Sequence, residues 1–242
     1  MNFEINCTLK CNQRCANCNR CPELFEKEDT DITPQQIDKF IEDIKNFKVN
    51  KIKLLGGEPL MSKHFRYVYD TLKKALDNKQ FNMLKLDYNH TISLPKDLDT
   101  KGVRLMGKSL NNKRHLPVYW DPGDLGYQIL PRPNCEMIRK CGQSYDYKGY
   151  LPCSAAIAIV RIFHLEHLYM DKPQRKPWGL DKLCKHCIFG MPDEWRKAHL
   201  FGVKNCLPEH RTKTKTFMKA LDALEKYSYS MCEWGNSVTG VK

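Results

Sequence analysis

"NFEINCTLKCNQRCANC", residues 2–18, opens with alternating apolar residues and closes with closely spaced cysteines. The alternation of Phe3, Ile5 and Cys7 with polar neighbours is typical of a β-strand with one buried face. Because this stretch runs straight into the cysteines, we expect a strand whose C-terminal end carries a thiol-rich loop. Cys7 itself is expected to be a core residue rather than a ligand.

The loop places Cys11, Cys15 and Cys18 in the spacing C-x3-C-x2-C. Three thiolates so close together can hold three irons of a 4Fe-4S cluster, and the fourth iron is then open to a small molecule. A tetrahedral zinc site is the alternative, but it needs a fourth nearby ligand. Either Cys7 or Cys21 lies close enough in the sequence to supply that ligand.

Helix and strand patterns alternate after the loop. Thr33 and Pro34 predict a helix start, and Gln36 is placed to close a capping box. Residues 51–55 read as a short strand that ends at "GGEP", residues 56–59. A second amphipathic helix and strands at "MLKLDY" and "GVRLM" follow. The alternation predicts parallel βα units, hence an α/β sheet or partial barrel with its sites at the C-terminal strand ends.

The composition narrows the class of protein. Twelve cysteines without a recognisable signal peptide argue against a disulfide framework, so a cytoplasmic protein is expected. The apolar run at residues 155–160 is far too short to cross a bilayer. A formal net charge of +12 favours an anionic partner such as a nucleotide, a phosphorylated metabolite or nucleic acid. The lysines are dispersed, however, and a solvated surface accounts for them equally well.

A second cysteine group follows a stretch rich in proline and glycine, and we predict a domain boundary that divides the chain into residues 1–130 and 131–242. Tyrosines on both sides of Lys148 and Gly149 predict a hairpin. A hairpin joined by the C-x2-C knuckle "LCKHC" suits either a zinc ribbon or a 4Fe-4S cluster. The cysteines concerned are Cys135, Cys141, Cys153, Cys184 and Cys187. A C-terminal helix around residues 217–224 is expected to pack on the sheet, and Cys206 and Cys232 are expected to be buried thiols.

"CNQRCANC" after a first strand and "GGEP" after a second resemble the radical S-adenosylmethionine (radical SAM) superfamily over roughly residues 1–130. The resemblance implies a partial (β/α)6 TIM-like barrel in which the three loop cysteines ligate a 4Fe-4S cluster. It also implies that the methionine end of SAM lies against "GGEP": Gly56, Gly57, Glu58 and Pro59. Family members usually carry an aromatic residue where this chain has Asn17, which leaves the adenine contact at that position open. Asp87 and Asn89, at the end of the third strand, are placed to reach the SAM ribose.

The second cysteine group resembles the twitch-type auxiliary domain, a shortened relative of the SPASM domain. That resemblance implies a second 4Fe-4S cluster held by two cysteines near the hairpin and by Cys184 and Cys187. The SPASM spacing fits Cys135 better than Cys141, so the choice between these two stays open. The other hairpin ligand that the resemblance implies is Cys153.

The resulting expectation is a radical SAM enzyme that abstracts hydrogen from an anionic nucleotide- or sugar-type small molecule. The second cluster would accept an electron or anchor the substrate, and a flavodoxin or ferredoxin would supply electrons. Peptide-modifying, nucleic-acid-modifying and glycyl-radical-generating enzymes are alternatives within the superfamily. A zinc protein that binds nucleic acid is the alternative from another class. The sequence names no catalytic acid or base.

Overall fold

The computed structural model describes residues 1–107, 116, 118–199 and 212–224. A six-stranded sheet in the order β4-β3-β2-β1-β5-β6 forms its centre. All neighbouring strands are parallel except β5 and β6, which form the predicted antiparallel hairpin. The strands are β1 (Asn2–Asn6), β2 (Val49–Leu55), β3 (Phe81–Tyr88), β4 (Val103–Gly107), β5 (Gln143–Asp146) and β6 (Gly149–Leu151). The predicted α/β class with a mostly parallel sheet is confirmed, and the partial TIM-like barrel stays a prediction.

Two helices cover one face of the sheet and confirm the predicted alternation of strands and helices. Helix α1 (Pro34–Asp43) begins at the predicted capping box: Gln36 N donates to Thr33 Oγ1 at 3.2 Å, and Thr33 N donates to Gln36 Oε1 at 2.9 Å. Helix α2 (Phe65–Asp77) follows β2. Each helix turns its apolar side onto the strands, which is how an amphipathic helix closes a parallel sheet.

The main core lies between these helices and the sheet. Alternate strand residues point into it, including Phe3, Ile5, Ile52 and Leu54, each fully buried. Cys7 is also part of this core, as expected, and burial raises the pKa of its thiol to about 12. Because the side-chain period of a strand is two, the intervening residues line the opposite face of the sheet.

The second half of the chain is built from short elements. A π-helical turn (Met137–Cys141) precedes the hairpin, and α3 (Ala156–Ile162), α4 (Leu180–Leu183) and α5 (Asp193–Ala198) follow it. The boundary at residue 131 stays a prediction; the sheet continues across it, because β5 pairs with β1. None of the helices in the described ranges has the length and apolar character that a bilayer crossing requires.

The predicted C-terminal helix is present as α6, residues 215–224. Its Phe217 packs with Cys21, Tyr119, Ala158 and Ile162. The helix therefore lies against α3 and the cysteine loop, and the expectation that it packs on the sheet is wrong. Apolar spacing reveals a buried helix face but does not reveal which surface covers it. Cys206 and Cys232 lie outside the described residues.

Candidate active site

The cysteine loop and the "GGEP" turn are joined by backbone hydrogen bonds. Gly57 N donates to Thr8 O at 2.9 Å, and Glu58 N donates to Lys10 O at 2.8 Å. A Cβ atom on Gly57 would lie 2.3 Å from Lys10 O, and one on Gly56 would lie 2.2 Å from Thr8 O. Glycine is required here because the two loops approach each other this closely. The two loops consequently form one surface at the C-terminal ends of β1 and β2.

Glu58 and Asn89 extend this surface to the end of β3. Glu58 is fully buried; its Oε2 accepts from Asn89 N at 2.7 Å and its Oε1 from Leu60 N at 3.1 Å. The Asn89 amide Nδ2 donates to Asn12 Oδ1 at 2.9 Å and lies 3.9 Å from Cys11 Sγ. Residues from three strand ends thus meet beside one cysteine.

Cys11, Cys15 and Cys18 are all partly exposed on this surface. Burial raises the pKa of Cys11, nearby Cys18 and Glu58 add to the rise, and a hydrogen bond from Gln13 N to Cys11 Sγ at 3.4 Å opposes it. Among the described residues, no group of three or more His, Cys, Asp or Glu side chains is arranged around a single metal ion. In a 4Fe-4S cluster each thiolate binds a different iron, so the three sulfurs need not converge on one point.

A buried charge network, which the sequence analysis missed, anchors the loop to β1. Arg20 donates to Glu4 Oε2 at 2.6 Å and to Asn6 Oδ1 at 2.9 Å, and Lys53 Nζ donates to Glu4 Oε1 at 2.6 Å. Burial alone would raise the pKa of Glu4, but Arg20 and Lys53 hold it at about 2. The sequence feature that could have revealed this network is Glu4, a charged residue in an otherwise buried strand. A glutamate in such an alternating pattern is normally interpreted as solvent-facing unless a partner cation is known.

Two predicted SAM contacts, Asp87 and Asn17, carry unsatisfied buried oxygens. Asp87 lies 3.9 Å from Lys53 Nζ on the polar face of the sheet. Its Oδ1, like the Oδ1 of Asn17, is buried and has no hydrogen-bond partner among the described residues. Buried acceptors are normally satisfied, so these atoms mark places where a ligand donor fits.

A cleft of about 470 Å³ opens beside the loop. Asn17 and Asn19 line one side of it, and Leu116, Met137 and Phe189 contribute apolar surface. The remaining lining residues are Val118, Glu136, Lys140, Cys141, Asp193, Arg196 and Lys197. The cleft lies between residues of the cysteine loop and residues of the second half of the chain.

The structure brings four of the five cysteines of the second group together. Cys135, Cys153, Cys184 and Cys187 line one cavity, whose other walls are mostly aliphatic. Burial raises the pKa of Cys153 and Cys187 above that of an ordinary thiol, and the neighbouring cysteines of the group raise both further. The four thiols share one largely aliphatic cavity without converging on a single point, which a 4Fe-4S cluster does not require, because each thiolate binds a different iron.

Cys141 lies elsewhere. Burial raises the pKa of its thiol, the Glu4 carboxylate raises it further, and it shares hydrogen bonds with Glu4 and Ser154. It lines the cleft rather than the four-cysteine cavity. The sequence did not decide whether Cys135 or Cys141 belongs to the ligand set. The geometry groups Cys135, and not Cys141, with Cys153, Cys184 and Cys187.

Comparison with known proteins gives matches in the N-terminal part of the chain. Residues 6–93 match the family described as a 4Fe-4S single cluster domain. A probable GTP 3′,8-cyclase of Methanococcus vannielii is 29% identical over 111 residues, 45% of this chain and 36% of that protein. The GTP 3′,8-cyclase of Clostridium acetobutylicum is 27% identical over 112 residues, 45% of this chain and 34% of that protein. The chain thus spans about a third of the length of these curated relatives.

Among solved structures, BtrN in complex with AdoMet and 2-DOIA matches with a TM-score of 0.41 and 15% identity, covering 78% of this chain and 94% of that one. At that score the likeness carries no argument here. The sequence matches, the three-cysteine loop and the "GGEP" turn fitted against it make the N-terminal part of the chain similar to the radical SAM superfamily.

Proposed function

We propose that the chain is a radical SAM enzyme acting on an anionic small molecule of nucleotide or sugar type. The observation that carries this proposal is the meeting of the cysteine loop, buried Glu58 and Asn89 at the C-terminal ends of three parallel strands. That edge is where parallel α/β folds hold their ligands.

Cys11, Cys15 and Cys18 are proposed to hold the first cluster, and "GGEP" to receive SAM. With both groups bound, the site supplies reductive cleavage of SAM and hydrogen abstraction from the substrate. Glu58 accepts backbone N–H groups from Leu60 and Asn89, and a carboxylate is a suitable acceptor for the amino group of SAM. Leu60 and Asn89 hold Glu58 in place for that contact.

The unsatisfied Oδ1 atoms of Asn17 and Asp87 support further ligand contacts. We propose that Asp87 accepts from a hydroxyl, such as that of the SAM ribose, and that Asn17 accepts from an amino group at the cleft. At the position of Asn17, family members usually carry an aromatic ring, and in this chain a side-chain amide would make a polar contact instead.

Cys135, Cys153, Cys184 and Cys187 are proposed to hold a second 4Fe-4S cluster. Four protein thiolates leave no iron open, so this arrangement favours electron acceptance over substrate anchoring. The net reaction is then an oxidation. A flavodoxin or ferredoxin remains the proposed reductant, and the cytoplasmic location stays a prediction.

The substrate class rests on charge and on relatives. The chain carries a formal charge of +12, and its curated relatives are named for a cyclase of GTP, a nucleotide. Because the chain spans about a third of those proteins, their activity supports the class of substrate and not its identity.

The test is iron, sulfide and zinc analysis of anaerobically purified protein, followed by dithionite and SAM with detection of 5′-deoxyadenosine. We expect about eight irons in the native protein and about four in a Cys11/Cys15/Cys18→Ala variant, with nucleoside formed by the native protein alone. Cys21→Ala, in the same loop, serves as the control and should keep its iron. Zinc in place of iron, with no nucleoside, would overturn the proposal and favour the zinc-binding module.

A further inference from the structure

The face of the sheet away from α1 and α2 carries a row of charged residues in register. Glu4 on β1 pairs with Lys53 on β2, Lys53 with Lys85 on β3, and Lys85 with Arg104 on β4. Lys51 lies two residues before Lys53 and so points to the same face. Three cations, Lys53, Lys85 and Arg104, therefore lie side by side across adjacent parallel strands. Lys51 lies next to them.

The charges in this row are not balanced. Lys53 is neutralised by Glu4 and lies 3.9 Å from Asp87. Lys85 and Arg104, by contrast, have no carboxylate within 4.0 Å in the described part of the chain, and Lys51 donates to the carbonyl of Lys140 rather than to an acid. Like charges on neighbouring strands are destabilising. Burial lowers the pKa of Lys85, Arg104, Lys51 and Lys53 lower it further, and Asp87 opposes the shift.

Several cations that line the cleft are paired. In the cleft, Arg196 pairs with Glu136 and Asp193, and Lys140 pairs with Glu136. The cleft therefore offers less free positive charge than its lysines and arginines suggest. The unbalanced cations on the sheet are the ones that an anion would stabilise.

The row of charged residues on the sheet is adjacent to the cleft. Lys51 contacts the backbone of Lys140, and the pKa of Lys53 is raised by Cys141 as well as by Glu4; Lys140 and Cys141 both line the cleft. Lys85 lies three residues before the end of β3, which is about 10 Å along the strand from the edge where Asn89 meets the cysteine loop. One elongated ligand can span that distance.

We propose that Lys85 and Arg104, with Lys51, bind the phosphoryl groups of the substrate, whose remaining part extends toward the cleft and the cysteine loop. This inference rests on the proposed function and sharpens its substrate class to a di- or triphosphate-bearing compound. Three cations call for several negative charges, which an oligophosphate carries and a single carboxylate does not. The guanidinium of Arg104 adds two parallel donors that match a phosphate edge.

The test is calorimetric titration of the anaerobically reconstituted full chain with inorganic tripolyphosphate, against sulfate at equal ionic strength. We expect the native protein to bind tripolyphosphate and the K85Q/R104Q variant to bind it at least about tenfold more weakly. K74Q/K96Q removes the same charge from α2 and the loop before β4, and should change affinity by less than about twofold. Tripolyphosphate should also raise the Tm of the native protein and of K74Q/K96Q more than that of K85Q/R104Q.

The outcomes separate the two proposals. Absence of tripolyphosphate binding, equal loss in both double variants, or competition of tripolyphosphate with SAM would overturn the phosphoryl subsite. In the last case the cations would serve the SAM carboxylate instead. Formation of 5′-deoxyadenosine by the native protein is measured in parallel and bears on the radical SAM proposal alone. Binding without nucleoside formation would support the anion subsite while the proposed function fails.

Discussion

The two cysteine groups are held in place by different forces. The N-terminal loop is anchored by polar contacts: Arg20 to Glu4 and Asn6, Asn12 to Asn89, and the loop backbone to "GGEP". The second group lines a cavity whose walls include Ile138, Ile159, Leu180 and Leu183, with Arg132 as its charged member. The first set supplies three thiols, whereas the second supplies four.

This difference matches the two proposed roles. A site that admits SAM and substrate needs an open coordination position and polar groups that orient the ligand. A set of four thiols among aliphatic side chains would leave no iron open to a ligand and is suited to electron transfer. The contrast predicts that damage to either region should leave the cluster of the other in place.

The largest expected effect comes from replacing, one at a time, the two cysteines between which the sequence did not decide. Cys135→Ala should remove about four of about eight irons, because one of the four thiols around the apolar cavity is lost. Cys141→Ala is the matched control and should retain them all, since its thiol faces Glu4. Iron analysis and Mössbauer spectroscopy measure this. Loss of iron from Cys141→Ala with retention in Cys135→Ala would reverse the assignment.

Glu4→Gln should weaken the polar anchoring of the first group. Removing one partner leaves Arg20 and Lys53 buried without their carboxylate, which costs about 3–5 kcal/mol of unfolding free energy at pH 7. The pKa of Glu4 is lowered from 4.5 to about 2. Its contribution is therefore fully present above the unfolded pKa and is lost as the pH falls toward about 2. Urea denaturation of the native protein and the variant across this range measures the effect.

Glu42→Gln supplies the control for that experiment. Glu42 pairs with Lys45 at the surface, where an ion pair contributes no more than about 1 kcal/mol. A stability loss in Glu4→Gln no larger than in Glu42→Gln would contradict the proposed anchoring. So would an acid-dependent loss of stability that persists unchanged in Glu4→Gln.

The sequence predicted those parts of the site that are local in the chain. The strand-to-loop transition at Cys7, the capping box at Thr33 and the "GGEP" turn each follow from residues within a few positions of one another. The pairing of β5 with β1 and the separation of Cys135 from Cys141 depend on contacts between distant segments. Periodicity reveals a buried face but not its partner, and so it missed both the charged row on the sheet and the surface that covers α6.

The smallest predicted effect concerns the link between the cysteine loop and β3. Asn89→Ala retains the backbone N–H that Glu58 accepts from, but it removes the side-chain bond to Asn12 and the contact with Cys11. One hydrogen bond contributes about 1 kcal/mol, so SAM affinity should fall by about fivefold. Asn82→Ala removes an exposed asparagine pair near the other end of the same strand and should leave the affinity within about twofold. Equilibrium binding of SAM to the reconstituted protein distinguishes the two variants. Equal affinities would show that the loop is positioned by the Glu58 contact and the "GGEP" backbone bonds, without help from the Asn89 side chain.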